Sequence, residues 1–213
     1  MKIDFLNYLD EYLDKIDHLR NNDFVTSSIF FSEGLIVYSL CKHYDIDLLI
    51  ESGVRNGGST EIWANALPDV DVIAIDWGDG MAQGSGNTRQ NVSNAMNRLS
   101  HFDNLYFQTA DSMVLVPQLI EKYEDRKIGL FVDGPKQWEG VQLCKSMLES
   151  SNVYFSSLHD WVDMGWVDIP MDDDLTEFSS RNKEFRSQIM YIDKEHPQIV
   201  SWPDGPGMHS WIK

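Results

Sequence analysis

Five apolar runs in this 213-residue chain end on, or just before, residues able to bind ligands or move protons. They are Glu51, Asp76, Asp111, Asp133 and the pair His159-Asp160. In an open parallel sheet, ligands gather beyond the carboxyl ends of the strands. Carboxylates placed there can hold hydroxyls, coordinate a hard cation or accept a proton. Any one of these aspartates is equally well explained as a helix N-cap or a loop residue, because Asp favours both. The whole set is harder to assign that way.

The segment Glu51-Ser-Gly53-Val-Arg55-Asn56-Gly57-Gly58-Ser59-Thr60 is the sharpest local pattern. Gly53 and the pair Gly57-Gly58 allow a tight turn and a close approach of backbone to ligand. Ser59 or Thr60 can cap a following helix, whose first N–H groups are unpaired. Both dinucleotides and S-adenosylmethionine can be held by such a turn. Glu51 at the strand end disfavours a pyrophosphate and favours the cationic sulfonium and ammonium of S-adenosylmethionine. Asp76, about 25 residues on, suits ribose hydroxyls in either case.

These residues need a scaffold. Phe5, Leu6, Leu9, Leu13, Ile16 and Leu19 form one helical stripe over 3–20, and a second helix is predicted from Glu33 to His43. The period then changes to short apolar runs at 47–51, 71–76, 104–108, 128–133 and 153–158. Helical stretches near 59–67, 88–99, 112–124 and 138–150 lie between them. Strands alternating with helices predict an α/β fold, with a parallel sheet covered on both faces. Residues 188–193 and 208–213 read as two further strands in an antiparallel hairpin, with 199–202 as part of the second or a ladder of its own. The 163–187 segment contains Asp172-Asp-Asp174 and a weak helical pattern near 175–186. It reads as a lid or substrate insert, or as a solvated acidic loop; its acids lack the spacing of a recognised calcium loop.

Composition narrows the partners. Thirty-four acidic against seventeen basic residues leave a formal net charge of −17, and no run of Lys and Arg offsets it. That field repels phosphate backbones and argues against nucleic acid. No apolar run reaches the roughly 18 residues needed to span a bilayer. Met1-Lys2-Ile3-Asp4-Phe5 leads into an acidic helix rather than a signal peptide. Cys41 and Cys144 share no metal-type spacing and read as buried free thiols of a cytoplasmic protein. Nothing in the sequence sets the oligomeric state.

The order of these motifs resembles the class I S-adenosylmethionine-dependent methyltransferases. The resemblance rests on Glu51-x-Gly53, Gly57-Gly58-Ser59, Asp76, Ala110-Asp111-Ser112 and Phe131-Val-Asp133-Gly-Pro-Lys136. It is closest to the small-molecule O-methyltransferase and cephalosporin-hydroxylase-like branches, and covers about residues 33–160. It implies a Rossmann-like three-layer sandwich whose seven-stranded, mostly parallel sheet ends in an antiparallel hairpin. Length and the absence of a linker predict one domain over 1–213: N-terminal helices to 45, a cofactor-binding core at 46–160, a lid or substrate insert at 161–187 and the hairpin at 188–213.

Carried onto this chain, the resemblance puts Glu51 and Gly53 at the methionine end, Asp76 at the ribose, and Asp111 and Ser112 beside the adenine. Arg55-Asn56 departs from the pattern, standing where another glycine is usual. Asp133 falls where metal-dependent members place a carboxylate ligand, with Asp160 as a second; together they could hold Mg²⁺ or another divalent metal. His159 is a candidate general base, and Lys136 could orient the substrate or assist deprotonation. Trp77, Trp138, Trp161 and Trp166 follow strand ends and could wall a flat ligand. The expected function is methylation of a small-molecule hydroxyl; no Asn-Pro-Pro-Tyr-like element of base methylation is present. An NAD-dependent oxidoreductase and a non-catalytic cofactor-binding module are the alternatives.

Overall fold

Leu48-Leu-Ile-Glu-Ser52 and Ile128-Gly-Leu-Phe-Val132 are buried at every position, as strands covered on both faces must be. The computed structural model describes residues 3–78, 88–160, 176–193 and 207–213. Its strands are β1 (Leu48–Ser52), β2 (Asp71–Asp76), β3 (Leu105–Thr109), β4 (Ile128–Val132), β5 (Val153–Leu158), β6 (Thr176–Ser179) and β7 (His209–Ile212). They form one sheet in the order β3-β2-β1-β4-β5-β7-β6. The first five run parallel, and β7 lies antiparallel between β5 and β6. Chain order reverses between β1 and β4, and in open sheets of this kind ligands bind in the crevice beyond the carboxyl ends at such a point.

The helices before the sheet are α1 (Leu9–Ile16), α2 (Asp23–Thr26) and α3 (Phe31–Tyr44). Within it come α4 (Gly58–Ala66), α5 (Thr88–Arg98), α6 (Ser112–Lys122) and α7 (Gln137–Met147), then α8 (Lys183–Ile189). Side chains on a strand alternate between faces, and the core divides accordingly. Leu49, Val72, Phe131 and Phe155 pack with Tyr12, Leu35, Ile36 and Trp63 on one side. Leu48, Ile50, Leu130 and Val132 pack with Val116, Ile120, Val141 and Cys144 on the other. The result is the expected three-layer sandwich. Both cysteines are buried and free, and burial pushes the Cys144 thiol up to about 12. Among the described residues, no helix is long and apolar enough to cross a membrane.

Two expectations need correction. Residues 3–20 form a short 3-10 turn at Phe5–Tyr8, then α1, then a second 3-10 turn at Asp17–Leu19. Tyr12 is fully enclosed, while Leu9 and Leu13 lie at the margin. Larger is the change at 188–193, which is the end of α8 and a 3-10 turn rather than a strand. Phe185, Ile189 and Ile192 are buried at helical spacing, whereas Tyr191 is exposed. The antiparallel partner of β7 is instead Thr176–Ser179, within the stretch read as helical. Residues 161–175 and 199–202 lie outside the described residues, as do Trp161, Trp166 and Asp172–Asp174.

The helical assignment predicts different costs at neighbouring positions. Ile189→Ala should lose about 2–4 kcal/mol of stability, as for other buried Ile truncations. Tyr191→Ala should change it by no more than about 0.5 kcal/mol, as for other surface positions. Urea denaturation of the two variants reads both. Similar losses at the two sites would restore the strand, which places residues 189 and 191 on one face.

Candidate active site

The turn after β1 is shaped by backbone approach before any ligand is considered. The Ser52 carbonyl accepts from both Asp133 N (2.7 Å) and Gly134 N (3.0 Å), and the Ser52 hydroxyl also bonds the Gly134 carbonyl. Gly53 sits over that contact at φ +92°. A Cβ there would lie 2.7 Å from Gly134 N and 2.8 Å from the Asp133 carbonyl carbon, so only glycine fits. The ends of β1 and β4 are thereby held side by side.

Two side chains grip the rest of the turn. Asp76 Oδ2 accepts from Val54 N (2.9 Å) and Arg55 N (3.0 Å), while its Oδ1 accepts from Gly78 N (2.9 Å). Arg98, near the end of α5, donates to the Asn56 carbonyl at 2.9 Å and pairs with Glu61. Arg55 takes a left-handed φ of +50° and Gly57 one of +74°. Arg55-Asn56 thus serves through its backbone, which explains how the turn closes without the usual extra glycine. No side chain caps α4. Ser59 and Thr60, expected as caps, donate to Glu51 instead, at 2.6 and 2.5 Å.

Glu51 is fully buried, and Trp63 Nε1 adds a third donor at 3.0 Å. Burial raises its carboxyl to about 7 despite those donors, with nearby Asp133 adding to the rise. Glu51 therefore braces α4 against β1 and reaches the turn through Ser59 and Thr60.

Beyond β4 and β5 stands a cluster of charges. The Lys136 ammonium bonds Asp133 Oδ1, and Asp160 Oδ2 lies 2.7 Å from it. His159 Nδ1 lies 2.9 Å from Asp133 Oδ1 and 3.4 Å from Asp160 Oδ1. The other ring nitrogen, Nε2, lies 3.2 Å from Glu33 Oε2. Glu33, fully buried at the start of α3, also accepts from Phe30 N (3.2 Å) and Gly207 N (2.8 Å). Burial alone would lower the His159 pKa, but Asp133, Glu33 and Asp160 together raise it well above the ordinary histidine value. Burial would raise the Asp133 carboxyl, yet Lys136 and His159 hold it below the usual range. Lys136, desolvated but facing Asp133 and Asp160, is raised.

Both ring nitrogens of His159 are thus engaged with carboxylates, and the ring ties Asp133 to Glu33. Glu33 was not foreseen, because its partner lies 126 residues away. Its one sequence signal is an acid inside a run, Phe30 to Leu40, that is otherwise almost wholly apolar or small; an acid there must be buried and paired.

Asp133, His159 and Asp160 offer ligand atoms that all lie within 4.8 Å of one another. As arranged, the set does not fit a divalent cation. The ammonium of Lys136 already bridges both carboxylates, and both His159 nitrogens face acids. Asp111 is the N-cap of α6, accepting from Met113 N at 2.9 Å, and the adjoining Ser112 is buried. Trp77 and Trp138 are exposed beyond β2 and β4. The structure therefore brings the β1 turn, Asp76 and the Asp133 cluster to one end of the sheet, with Asp111 on the far side of β2.

The sequence matches no protein-family model and no curated protein. Solved structures do share the fold. An O-methyltransferase from Bacillus cereus in complex with SAH superposes with a TM-score of 0.52 at 17% identity, covering 97% of this chain and 91% of that one. The O-methyltransferase TomG from Streptomyces achromogenes, in complex with SAM, gives 0.51 at 16%, covering 95% and 87%. A methyltransferase from Geobacter sulfurreducens gives 0.52 at 16%, covering 81% and 88%.

Two substitutions test the geometry. Gly53→Ala should destabilise the chain by about 1–3 kcal/mol through its positive φ and its clash with residues 133–134; an unchanged melting temperature would refute the contact. Glu33→Gln keeps the shape and removes a charge beside His159, at a cost of about 1–3 kcal/mol. A raised folded pKa stabilises fully below the unfolded value near 6.5 and ceases to do so as pH rises through the folded value. The loss in Glu33→Gln should therefore be larger at pH 6 than at pH 9, as measured by denaturation at both.

Proposed function

We propose that this chain is an S-adenosylmethionine-dependent methyltransferase acting on a hydroxyl of a small molecule. The observation that carries the reading is one of placement. At the reversal point of a β3-β2-β1-β4-β5-β7-β6 sheet, a glycine turn gripped by Asp76 adjoins the Asp133–Lys136–Asp160 cluster. The fold shared with methyltransferases solved with SAH and SAM supports it.

Several local features suit the cofactor. The uncapped start of α4 offers N–H groups and a positive dipole end to the methionine carboxylate. Gly53 and residues 55–58 form the floor beneath the methionine end. Asp76 and Trp77 stand where ribose and the edge of adenine would lie, with Asp111 and Ser112 on the adenine side. Glu51 acts one layer behind, through Ser59 and Thr60. When bound, S-adenosylmethionine supplies an electrophilic methyl group.

The chain's own residues do the rest. Proximity across the turn aligns an acceptor with the cofactor site, and alignment alone is worth several kcal/mol of barrier. Lys136 orients the acceptor hydroxyl and increases its acidity by charge, and Asp160 takes the proton. Asp133, steadied by His159 and Glu33, fixes Lys136. No step is assigned to a metal. Small, uncharged or cationic acceptors are favoured over nucleic acid by the net charge of −17. A cytoplasmic setting agrees with two buried, unpaired thiols.

Calorimetric titration with S-adenosylhomocysteine tests the reading. One site per chain is expected, and Asp76→Ala should weaken it by about 1–3 kcal/mol, the cost of lost hydrogen bonds to charge. Absence of binding, with saturable binding of NAD in its place, would falsify the assignment.

A further inference from the structure

The most buried charges of the site are acids, yet the cluster carries its own counter-ion. Lys136 follows Asp133 by three residues and stands at the N-cap position of α7 without capping it, which gives its side chain a short tether to the strand end. From there the ammonium reaches Asp133 Oδ1 and, at 2.7 Å, Asp160 Oδ2. Asp133, His159 and Asp160 are the residues whose ligand atoms converge within 4.8 Å. Both carboxylates of that group are spanned by the Lys136 ammonium, with the His159 ring beside them. An incoming divalent ion would have to share the same oxygens with the ammonium and would be repelled by it at short range.

We propose that the Lys136 ammonium is the resident cation of this site: it occupies the place of a divalent metal between Asp133 and Asp160, and so keeps metal out. An ammonium has three N–H donors. Two are spent on the aspartates, and the third serves the acceptor oxygen from a side chain that is 39% exposed. This catalytic half rests on the methyltransferase reading; the exclusion of metal does not. In the transfer, the acceptor oxygen bonds the methyl carbon as the carbon–sulfur bond breaks, and that electron pair stays on sulfur. The hydroxyl proton passes to Asp160. Lys136 keeps its protons throughout, so no redox partner or metal-bound base is needed.

The test uses the full chain without cofactor or acceptor, titrated calorimetrically with MnCl₂ and, separately, MgCl₂. The wild type should bind neither below about 1 mM. Lys136→Ala should bind one Mn²⁺ at least about tenfold more tightly, and Asp133→Asn added to that variant should abolish the gain. Lys136→Arg, which keeps a cation, should behave as wild type, and Lys136→Met covers the case in which alanine fails to fold. One tight Mn²⁺ per wild-type chain, or no gain in either neutral variant, overturns the proposal. Transfer with excess chelator supports the catalytic half, and dependence on added metal overturns it. S-adenosylhomocysteine binding is read separately, so failure of the cofactor assignment is distinguishable from failure of this one.

Discussion

One carbonyl carries the architecture of the site. Ser52 O accepts two backbone N–H groups, those of Asp133 and Gly134, across the point where the order of the strands reverses. The bifurcated contact needs Gly53 beside it, since any side chain would strike the same peptide. A glycine demanded by backbone packing therefore also leaves the turn open to a ligand. The same contact sets Asp133 immediately beside that turn. The proposed binding surface and the acid cluster share a single joint, and a shift at either end moves both.

The cluster is also anchored from outside the parallel sheet. Glu33 comes from a helix preceding β1, and its second oxygen holds Gly207 N just before β7. His159 joins these to Asp133 through its two ring nitrogens. Buried like this, an isolated charge would cost several kcal/mol; alternating acids and bases offset that cost and fix one geometry. The N-terminal helices and the last strand are thus parts of the site's support. Removing the helices would take Glu33 from His159, and removing the last strand would cost Glu33 its Gly207 N–H donor.

Legibility in the sequence followed the physics of each element. Runs such as Asp71–Asp76 were readable because burial on both faces demands continuous apolar residues, and their helices were readable from the 3.6 period. The C-terminal pair was misplaced for a related reason. Ile189, Met190, Tyr191 and Ile192 look strand-like in composition, but the buried positions, 185, 189 and 192, follow a helix. Thr176–Ser179 is short and mostly polar, so nothing local marked it as a strand. At the site, residue types marked the rim beyond the strand ends without telling what each acid contacts. Asp111 proved to be an N-cap, and Glu51 a buried brace. Arg98 and Glu33 act on partners 42 and 126 residues away, and no local pattern encodes such distances.

Backbone strain offers an independent measure of where function is concentrated. Among the described residues, Asp45, Gly53, Arg55, Gly57, Gly78 and Asp160 take positive φ. Asp45 ends α3, as left-handed residues commonly end helices. The other five all lie just beyond the carboxyl ends of β1, β2 and β5. Arg55 and Asp160 bear a side chain that makes this conformation unfavourable, so each is held there by its surroundings. Asp76 grips the N–H of Arg55, and Lys136 grips the carboxylate of Asp160. The two strained residues are therefore maintained by the acid of the turn and by the lysine of the cluster. Strain, charge and the reversal of strand order coincide at one rim, and the proposed binding site rests on that coincidence more directly than on any single motif.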